Sequence, residues 1–191
     1  MALTLLLGGA RSGKSALAVR LAGRSAGPVT VVVTGEARDA EMAERISRHR
    51  AERPSHWRTV EAPRELQAAL AGAPADAFVV LDCLTLWVSN LMEQGLDDRR
   101  VGELARSAAA VAAARPAPTV AVSNEVGAGI VPADALSRRY RDLLGQVNAV
   151  WAAAADQALL LVAGRALPLL DPLAVLGTAG RGAGPEAVPG G

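Results

Sequence analysis

The 191-residue chain contains one cysteine, Cys83, and only 3% aromatic residues. A single cysteine cannot form an internal disulfide, which excludes a disulfide-stabilised secreted fold and fits a reducing compartment. Because aromatic residues are few, the core must be built from Ala, Leu and Val, and a hydrophobic content of 51% is enough for a sizeable one. The net charge of +1 gives no global reason to expect nucleic acid as a partner.

Long uninterrupted hydrophobic runs are also missing. The longest apolar stretch, near residues 149–164, is broken by Asp156 and Gln157, so no membrane insertion is expected. Residues 1–7 are apolar but carry no basic leader and run directly into a glycine-rich loop, which favours a first strand over a secretory signal. We therefore expect a cytoplasmic protein.

Lysine is almost absent, since only Lys14 among the 20 Lys and Arg residues is a lysine. It completes a Gly-x4-Gly-Lys-Ser motif that follows an apolar strand and precedes a helix, as a phosphate-binding P-loop requires. The motif comprises Gly8, Gly9, Ala10, Arg11, Ser12, Gly13, Lys14 and Ser15. Its glycines let backbone N–H groups point at phosphate oxygens, and the helix N-terminus adds partial positive charge. The loop predicts ATP or GTP binding, with Lys14 on the β and γ phosphates and Ser15 on Mg²⁺.

Short apolar runs alternate with helical patterns along the chain. Strands are predicted at 3–7, 29–34, 78–82, 119–123 and 158–162, and helices at 14–25, 39–52, 63–71, 98–115 and 135–155. This alternation predicts an α/β, P-loop NTPase-like fold with a mostly parallel central sheet and helices on both faces. Asp39 is expected to cap the second helix, and Pro63 to start the third.

The composition divides the chain into a single domain, 1–170, and a Gly/Pro-rich tail, 171–191, which we expect to be flexible. Leu173, Val175 and Leu176 within that tail could alternatively add a short edge strand.

Polar residues follow two of the predicted strands. Asp82 ends an apolar strand and is the natural second partner for Mg²⁺, directly or through water. Asn124 and Glu125 follow the strand at 119–123, and ligands bind at the carboxyl ends of parallel strands. They could lie near the nucleotide or its acceptor, or could simply form a polar turn.

The chain has two histidines, His49 and His56. His49 lies in an arginine-rich helix and shares a face with Met42 and Ile46, so its residue pattern alone favours a half-buried structural histidine. The alternative is a nucleophile that attacks phosphorus, with the arginines neutralising a triphosphate. His56 is the rival for that role.

Taken together, several ordered strings closely resemble the bifunctional adenosylcobinamide kinase / adenosylcobinamide-phosphate guanylyltransferase family of cobalamin biosynthesis, over about residues 3–164. The strings lie at 8–15, 39–49, 53–61, 82–91 and 123–132, followed by Arg141-Asp142 and Gly145-Gln146-Val147-Asn148. The resemblance implies phosphorylation of adenosylcobinamide by ATP or GTP, then transfer of GMP from GTP to the phosphorylated corrinoid through a guanylyl-histidine. The matching histidine is His49; Arg48 stands where family members often carry a second one.

The resemblance also implies a guanine-nucleotide site, a homo-oligomer that is a trimer, and a corrinoid substrate. The nucleotide site would be lined by Thr34, Gly35, Glu36, Arg53 and Glu61. Glu61 could read the N1–H and N2–H₂ donors of guanine, whereas a surface salt bridge between Arg53 and Glu61 is the simpler alternative. Two other functions stay open: a monofunctional small-molecule P-loop kinase and a nucleotide-gated binding module.

Overall fold

The computed structural model describes residues 3–179 and contains one seven-stranded sheet. Its strands are β1 (Leu3–Leu7), β2 (Val29–Val33), β3 (Arg58–Glu61), β4 (Phe78–Asp82), β5 (Thr119–Val122), β6 (Gln157–Val162) and β7 (Arg165–Leu169). Their order across the sheet is β3-β2-β4-β5-β1-β6-β7. All neighbours pair in parallel except β6 and β7, which form an antiparallel hairpin at one edge.

The helices of the described chain are α1 (Lys14–Ala22), α2 (Ala40–Ala51), α3 (Leu66–Ala71), α4 (Leu84–Glu93), α5 (Asp98–Ala113), α6 (Ala135–Ala154) and α7 (Pro172–Ala179). Within residues 3–179, no helix combines the length and apolar character needed to cross a bilayer.

Helices cover both faces of the sheet, which confirms the predicted fold class. Residues of α1 pack with Leu6, Val31 and Val80 on one face. Residues of α3, α4, α5 and α6 pack on the other face, where Trp87 and Trp151 are the largest fully buried side chains. Burial on both faces explains why β1, with the sequence LTLLL, is almost purely apolar.

Helix α2 lies outside both apolar clusters, as far as its residues are described. Asp39 caps it as predicted, accepting a hydrogen bond from the Met42 N–H at 2.7 Å. Its Ile46 side chain packs beside Gly35, since a Cβ on that glycine would lie 3.6 Å from Ile46 and 3.3 Å from Leu86. The helix therefore rests on the carboxyl edge of the sheet rather than in the core.

The structure corrects several sequence expectations. Helix α3 starts at Leu66, not at Pro63, whose carbonyl instead accepts a hydrogen bond from Asn90. Four elements were not predicted: β3, α4, β7 and α7. The suggested edge strand through Leu173, Val175 and Leu176 is wrong, because these residues lie in helix α7 and the edge strand is β7. Residues 180–191 of the predicted flexible tail lie outside the described residues.

Candidate active site

The loop at residues 8–13 leaves the interior strand β1 and enters α1, as the motif predicts. Gly8 has φ +149°, and a Cβ there would lie 2.4 Å from the carbonyl oxygen of Leu161 in β6. Gly13 has φ +98° immediately before the helix, a conformation that glycine adopts readily. These two glycines are therefore required by the backbone path.

The turn of the β6–β7 hairpin supports the same loop from the side. The Gly164 N–H donates to the carbonyl oxygen of Ser12 at 3.1 Å, and a Cβ on Gly13 would lie 3.6 Å from the Gly164 Cα. An element that the sequence did not predict, β7, thus completes a hairpin whose turn helps to set the loop conformation.

Lys14 lies across the loop with its side chain buried. Its Nζ donates to the carbonyl oxygens of Gly8 and Gly9, both at 2.7 Å. The backbone N–H of Glu125, just after β5, donates to the same Gly8 oxygen at 3.1 Å. The predicted polar pair Asn124–Glu125 is therefore tied to the first residue of the phosphate loop.

Ser15 and Asp82 come together although 67 residues separate them in sequence. The Ser15 Oγ donates to Asp82 Oδ1 at 3.4 Å. A hydroxyl and a carboxylate oxygen at this spacing suit Mg²⁺, which usually takes few protein ligands and completes its shell with phosphate oxygens and water. Within residues 3–179, no cluster of three or more His, Cys, Asp or Glu side chains suited to a metal occurs.

The second oxygen of Asp82 faces two cationic or ionisable groups from α2 and the segment after it. Arg53 donates to Oδ2 at 3.0 Å, and the His49 Nδ1 lies 3.6 Å from the same atom. Burial would raise the pKa of Asp82, but its contacts with His49, Arg53 and Ser15 outweigh that effect and hold the pKa below its usual range. Asp82 is therefore an ionised carboxylate that joins the loop to the histidine helix.

His49 and His56 lie in different parts of the structure. His49 is 30% exposed and faces Asp82. His56 is exposed and lines a separate cavity of about 370 Å³ with residues from the end of α1 and the start of β2, at the opposite edge of the sheet. Of the two candidates, only His49 stands beside the phosphate loop.

Residues 34–36 follow β2 at the same edge. The buried Thr34 hydroxyl donates to the Cys83 carbonyl oxygen at 2.6 Å and accepts from the Cys83 N–H at 3.0 Å. Glu36 pairs with Arg64 at 3.0 Å and with Arg38, and together these arginines, Arg38 foremost, hold the pKa of Glu36 below its usual range. Glu36 lines a surface cavity of about 580 Å³ beside these arginines.

Glu61 and Arg53 do not form the salt bridge considered as their simpler role. Arg53 is bound to Asp82, whereas Glu61 ends the edge strand β3 with an exposed side chain. Within the described chain, the Glu61 side chain makes no hydrogen bond or ion pair.

Helix α4 organises this edge of the sheet, and the sequence analysis missed it. The Asn90 side chain donates to the carbonyl oxygens of Thr34 at 2.8 Å and Pro63 at 2.9 Å, while Trp87 donates to that of Arg64. The Thr85 hydroxyl accepts from the Asn124 N–H at 2.8 Å. The signal was present: Leu84, Trp87, Val88 and Leu91 recur at helical spacing.

Known proteins resemble this chain over most of its length. The family model described as "Cobinamide kinase / cobinamide phosphate guanyltransferase" matches residues 4–169. The bifunctional adenosylcobalamin biosynthesis protein CobP of Pseudomonas aeruginosa is 44% identical over 176 residues, covering 86% of this chain and 95% of that protein. The CobU proteins of Salmonella typhimurium and Escherichia coli, which carry the same bifunctional description, are each 40% identical, covering 84% of this chain and 95% of theirs.

Among solved structures, an ATPase from the type III secretion system of pathogenic bacteria matches with a TM-score of 0.48 and 14% identity. The match covers 92% of this chain and 53% of that one, so this chain spans about half the length of the ATPase, and the likeness is too distant to bear on function. The family match and the bifunctional relatives decide the assignment: the chain belongs to the cobinamide kinase / cobinamide phosphate guanyltransferase family.

Proposed function

We propose that this protein phosphorylates adenosylcobinamide with ATP or GTP and then transfers GMP from GTP to the product, giving adenosylcobinamide-GDP. The observation that carries the proposal is the convergence of Lys14, Ser15, Asp82 and His49 at one edge of the sheet. A lysine on a phosphate loop can bind any polyphosphate. A histidine beside that loop, next to Asp82, supports a second, covalent reaction.

In the kinase step, the loop N–H groups and Lys14 stabilise the charge on the transferring γ phosphate and the departing diphosphate. Ser15 and Asp82 would hold Mg²⁺, which when bound neutralises charge on the phosphate oxygens. Glu125, whose backbone N–H is bonded to Gly8 and whose carboxylate accepts from the Gly127 N–H, would accept the proton of the attacking aminopropanol hydroxyl.

In the guanylyl step, pyrophosphate is the leaving group and the same loop holds it. His49 attacks the α phosphorus, and the GMP then passes to the phosphate that the first step placed on the corrinoid. This second acceptor is already an anion, so the step requires no base to remove a hydroxyl proton.

Guanine selection is assigned to Thr34, Gly35, Glu36, Arg53 and Glu61. Arg53 is held by Asp82, and Glu36 is held by Arg64, so these side chains are pre-positioned at one edge. The exposed Glu61 carboxylate is the group left to accept from guanine N1–H and N2–H₂, a match that adenine cannot offer.

The assembly is proposed to be a homo-oligomer, a trimer by family resemblance. An apolar strip on the β6–β7 edge and α7 supports this, because monomers rarely expose contiguous apolar surface. The exposed side chains are Val162, Leu167, Leu169, Leu170, Leu173, Val175 and Leu176. A cytoplasmic location is proposed as well, because a chain with a single cysteine cannot form an internal disulfide and suits a reducing compartment.

Incubation with α-labelled GTP tests the proposal directly. The wild-type protein should retain acid-labile, base-stable label; His49→Ala should lose it, and His56→Ala, the matched control, should keep it. Lys14→Ala should lose both label and kinase turnover. A wild type that turns over adenosylcobinamide but never labels would be a monofunctional kinase, and one that binds nucleotide without any turnover would be a binding module.

A further inference from the structure

The two carboxylate oxygens of Asp82 face different neighbours. Oδ1 faces the Ser15 hydroxyl of the phosphate loop at 3.4 Å. Oδ2 faces Arg53 at 3.0 Å and the His49 Nδ1 at 3.6 Å, an ion-pair distance just beyond a hydrogen bond. The Nδ1 nitrogen of His49 therefore already faces a carboxylate oxygen.

The chemistry of that neighbour decides which ring nitrogen carries the proton. An ionised carboxylate only accepts hydrogen bonds, so a neutral imidazole beside Oδ2 is stabilised when its proton is on Nδ1. Arg53 donates to the same oxygen, which keeps the carboxylate ionised and fixed in place.

The other nitrogen, Nε2, lies across the ring and directs its lone pair away from Asp82. The His49 side chain is 30% exposed, whereas the Asp82 side chain is 13% exposed, so the histidine is the more accessible of the two to a nucleotide. Building on the proposed guanylyl step, we propose that Asp82 is a positioning residue for His49: it holds the Nδ1–H tautomer, so that GMP becomes attached to Nε2 alone.

The step balances without any further reactant. The Nε2 lone pair forms the bond to the α phosphorus, and the bond from that phosphorus to the bridging oxygen breaks as pyrophosphate leaves with the electron pair. The proton on Nδ1 stays there, and the positive charge that develops on the ring faces the Asp82 carboxylate. When the corrinoid phosphate attacks, Nε2 leaves with its electron pair and the same tautomer is restored.

The test is the position of the phosphorus on the ring. Protein labelled with ¹⁵N-histidine is treated with GTP, and NMR correlations between the ring protons and nitrogens identify the nitrogen bonded to phosphorus. Attachment at Nε2 is the expected result. Attachment at Nδ1, with His49 guanylylated, overturns the positioning role but leaves the proposed function standing; absence of any phosphoramidate removes both.

The free protein gives a second readout that a merely structural aspartate would not affect. The ¹⁵N spectrum of wild type should show His49 as the Nδ1–H tautomer, and Asp82→Ala should shift it toward Nε2–H. His56 serves as an internal control in the same spectrum, because it is exposed and should not respond to the substitution. A wild-type His49 already in the Nε2–H form would overturn the proposal.

Discussion

Lys14 and Glu125 donate hydrogen bonds to one and the same atom, the carbonyl oxygen of Gly8. The Lys14 ammonium lies 2.7 Å from that oxygen and the Glu125 backbone N–H lies 3.1 Å from it. The lysine proposed to bind the phosphates and the glutamate proposed as the base of the kinase step are therefore fixed to each other through a single backbone position.

This arrangement predicts that Glu125→Gln separates the two reactions. The kinase step needs a base for a hydroxyl proton, so its rate should fall by about 100-fold. Labelling of His49 by α-labelled GTP involves no such proton and should be retained. Both activities can be measured on one preparation.

Glu103→Gln is the matched control, because Glu103 pairs only with arginines on the surface of α5. It should change neither rate. An equal loss of both activities in Glu125→Gln would contradict the role of Glu125 as the base of the kinase step.

Two adjacent glycines of the loop should respond differently to alanine. A Cβ at Gly8 would lie 2.4 Å from the Leu161 carbonyl oxygen at a positive φ, whereas a Cβ at Gly9 would meet no atom of the described chain within 4 Å. Gly8→Ala is expected to lower the free energy of unfolding by about 3 kcal/mol. Urea denaturation without nucleotide measures the effect.

Gly9→Ala provides the control within the same loop. It should change the free energy of unfolding by less than about 0.5 kcal/mol. Equal stability of the two variants would show that the close approach of β6 to the loop is absent in solution.

Substitution of Arg115 should lower the free energy of unfolding more than substitution of an exposed charged residue. Its guanidinium donates to the carbonyl oxygens of Leu70, Ala73, Pro74 and Ala77, which closes the end of α3 onto the start of β4. Arg115→Met would leave these buried acceptors without their donor, and we expect a loss of about 3 kcal/mol in the free energy of unfolding. Thermal or urea denaturation provides the measurement.

Arg99→Met is the comparison, since Arg99 forms an exposed pair with Glu103 on α5. Such pairs contribute little, so the change should stay below about 0.5 kcal/mol. Similar losses in both variants would mean that the carbonyl contacts of Arg115 do not stabilise the fold.

The apolar strip on the β6–β7 edge and α7 should govern association. Leu173 is 76% exposed, and Leu173→Glu would bury a charge in any interface that covers it. We expect light scattering to show a trimer for wild type and a shift toward monomer for this variant. Ala110→Glu, which adds the same charge at an exposed position of α5, should remain a trimer. A monomeric wild type would refute the proposed assembly.

Much of the fold could be predicted from the sequence because buried parallel strands have a strong signature. The bounds of β1 and β4 were predicted to the residue, as both are nearly continuous runs of Leu and Val. The edge strands lacked that signature: β3 has the sequence RTVE, and β7 contains Pro168, which strands tolerate only at an edge. Their strand character depends on the neighbour they pair with, which the local sequence does not specify.

The candidate site divides in the same way. The phosphate loop and its partner Asp82 follow from local motifs, since carboxyl ends of parallel strands meet at one edge. Their roles stay predictions, although Ser15 and Asp82 do lie together. The contacts of Arg53 and His49 with Asp82 could not be predicted, because they depend on how Ile46 of α2 packs beside Gly35, and both lie far from Asp82 in sequence.

The divided carboxylate of Asp82 also limits how the two activities could diverge. One oxygen faces the loop that is proposed to hold every triphosphate, and the other faces the histidine that is proposed to act in one reaction only. A substitution at this position would damage both reactions at once. A descendant enzyme that specialised in one reaction would therefore lose the other reaction through a change at His49 or Glu125, while keeping this aspartate unchanged.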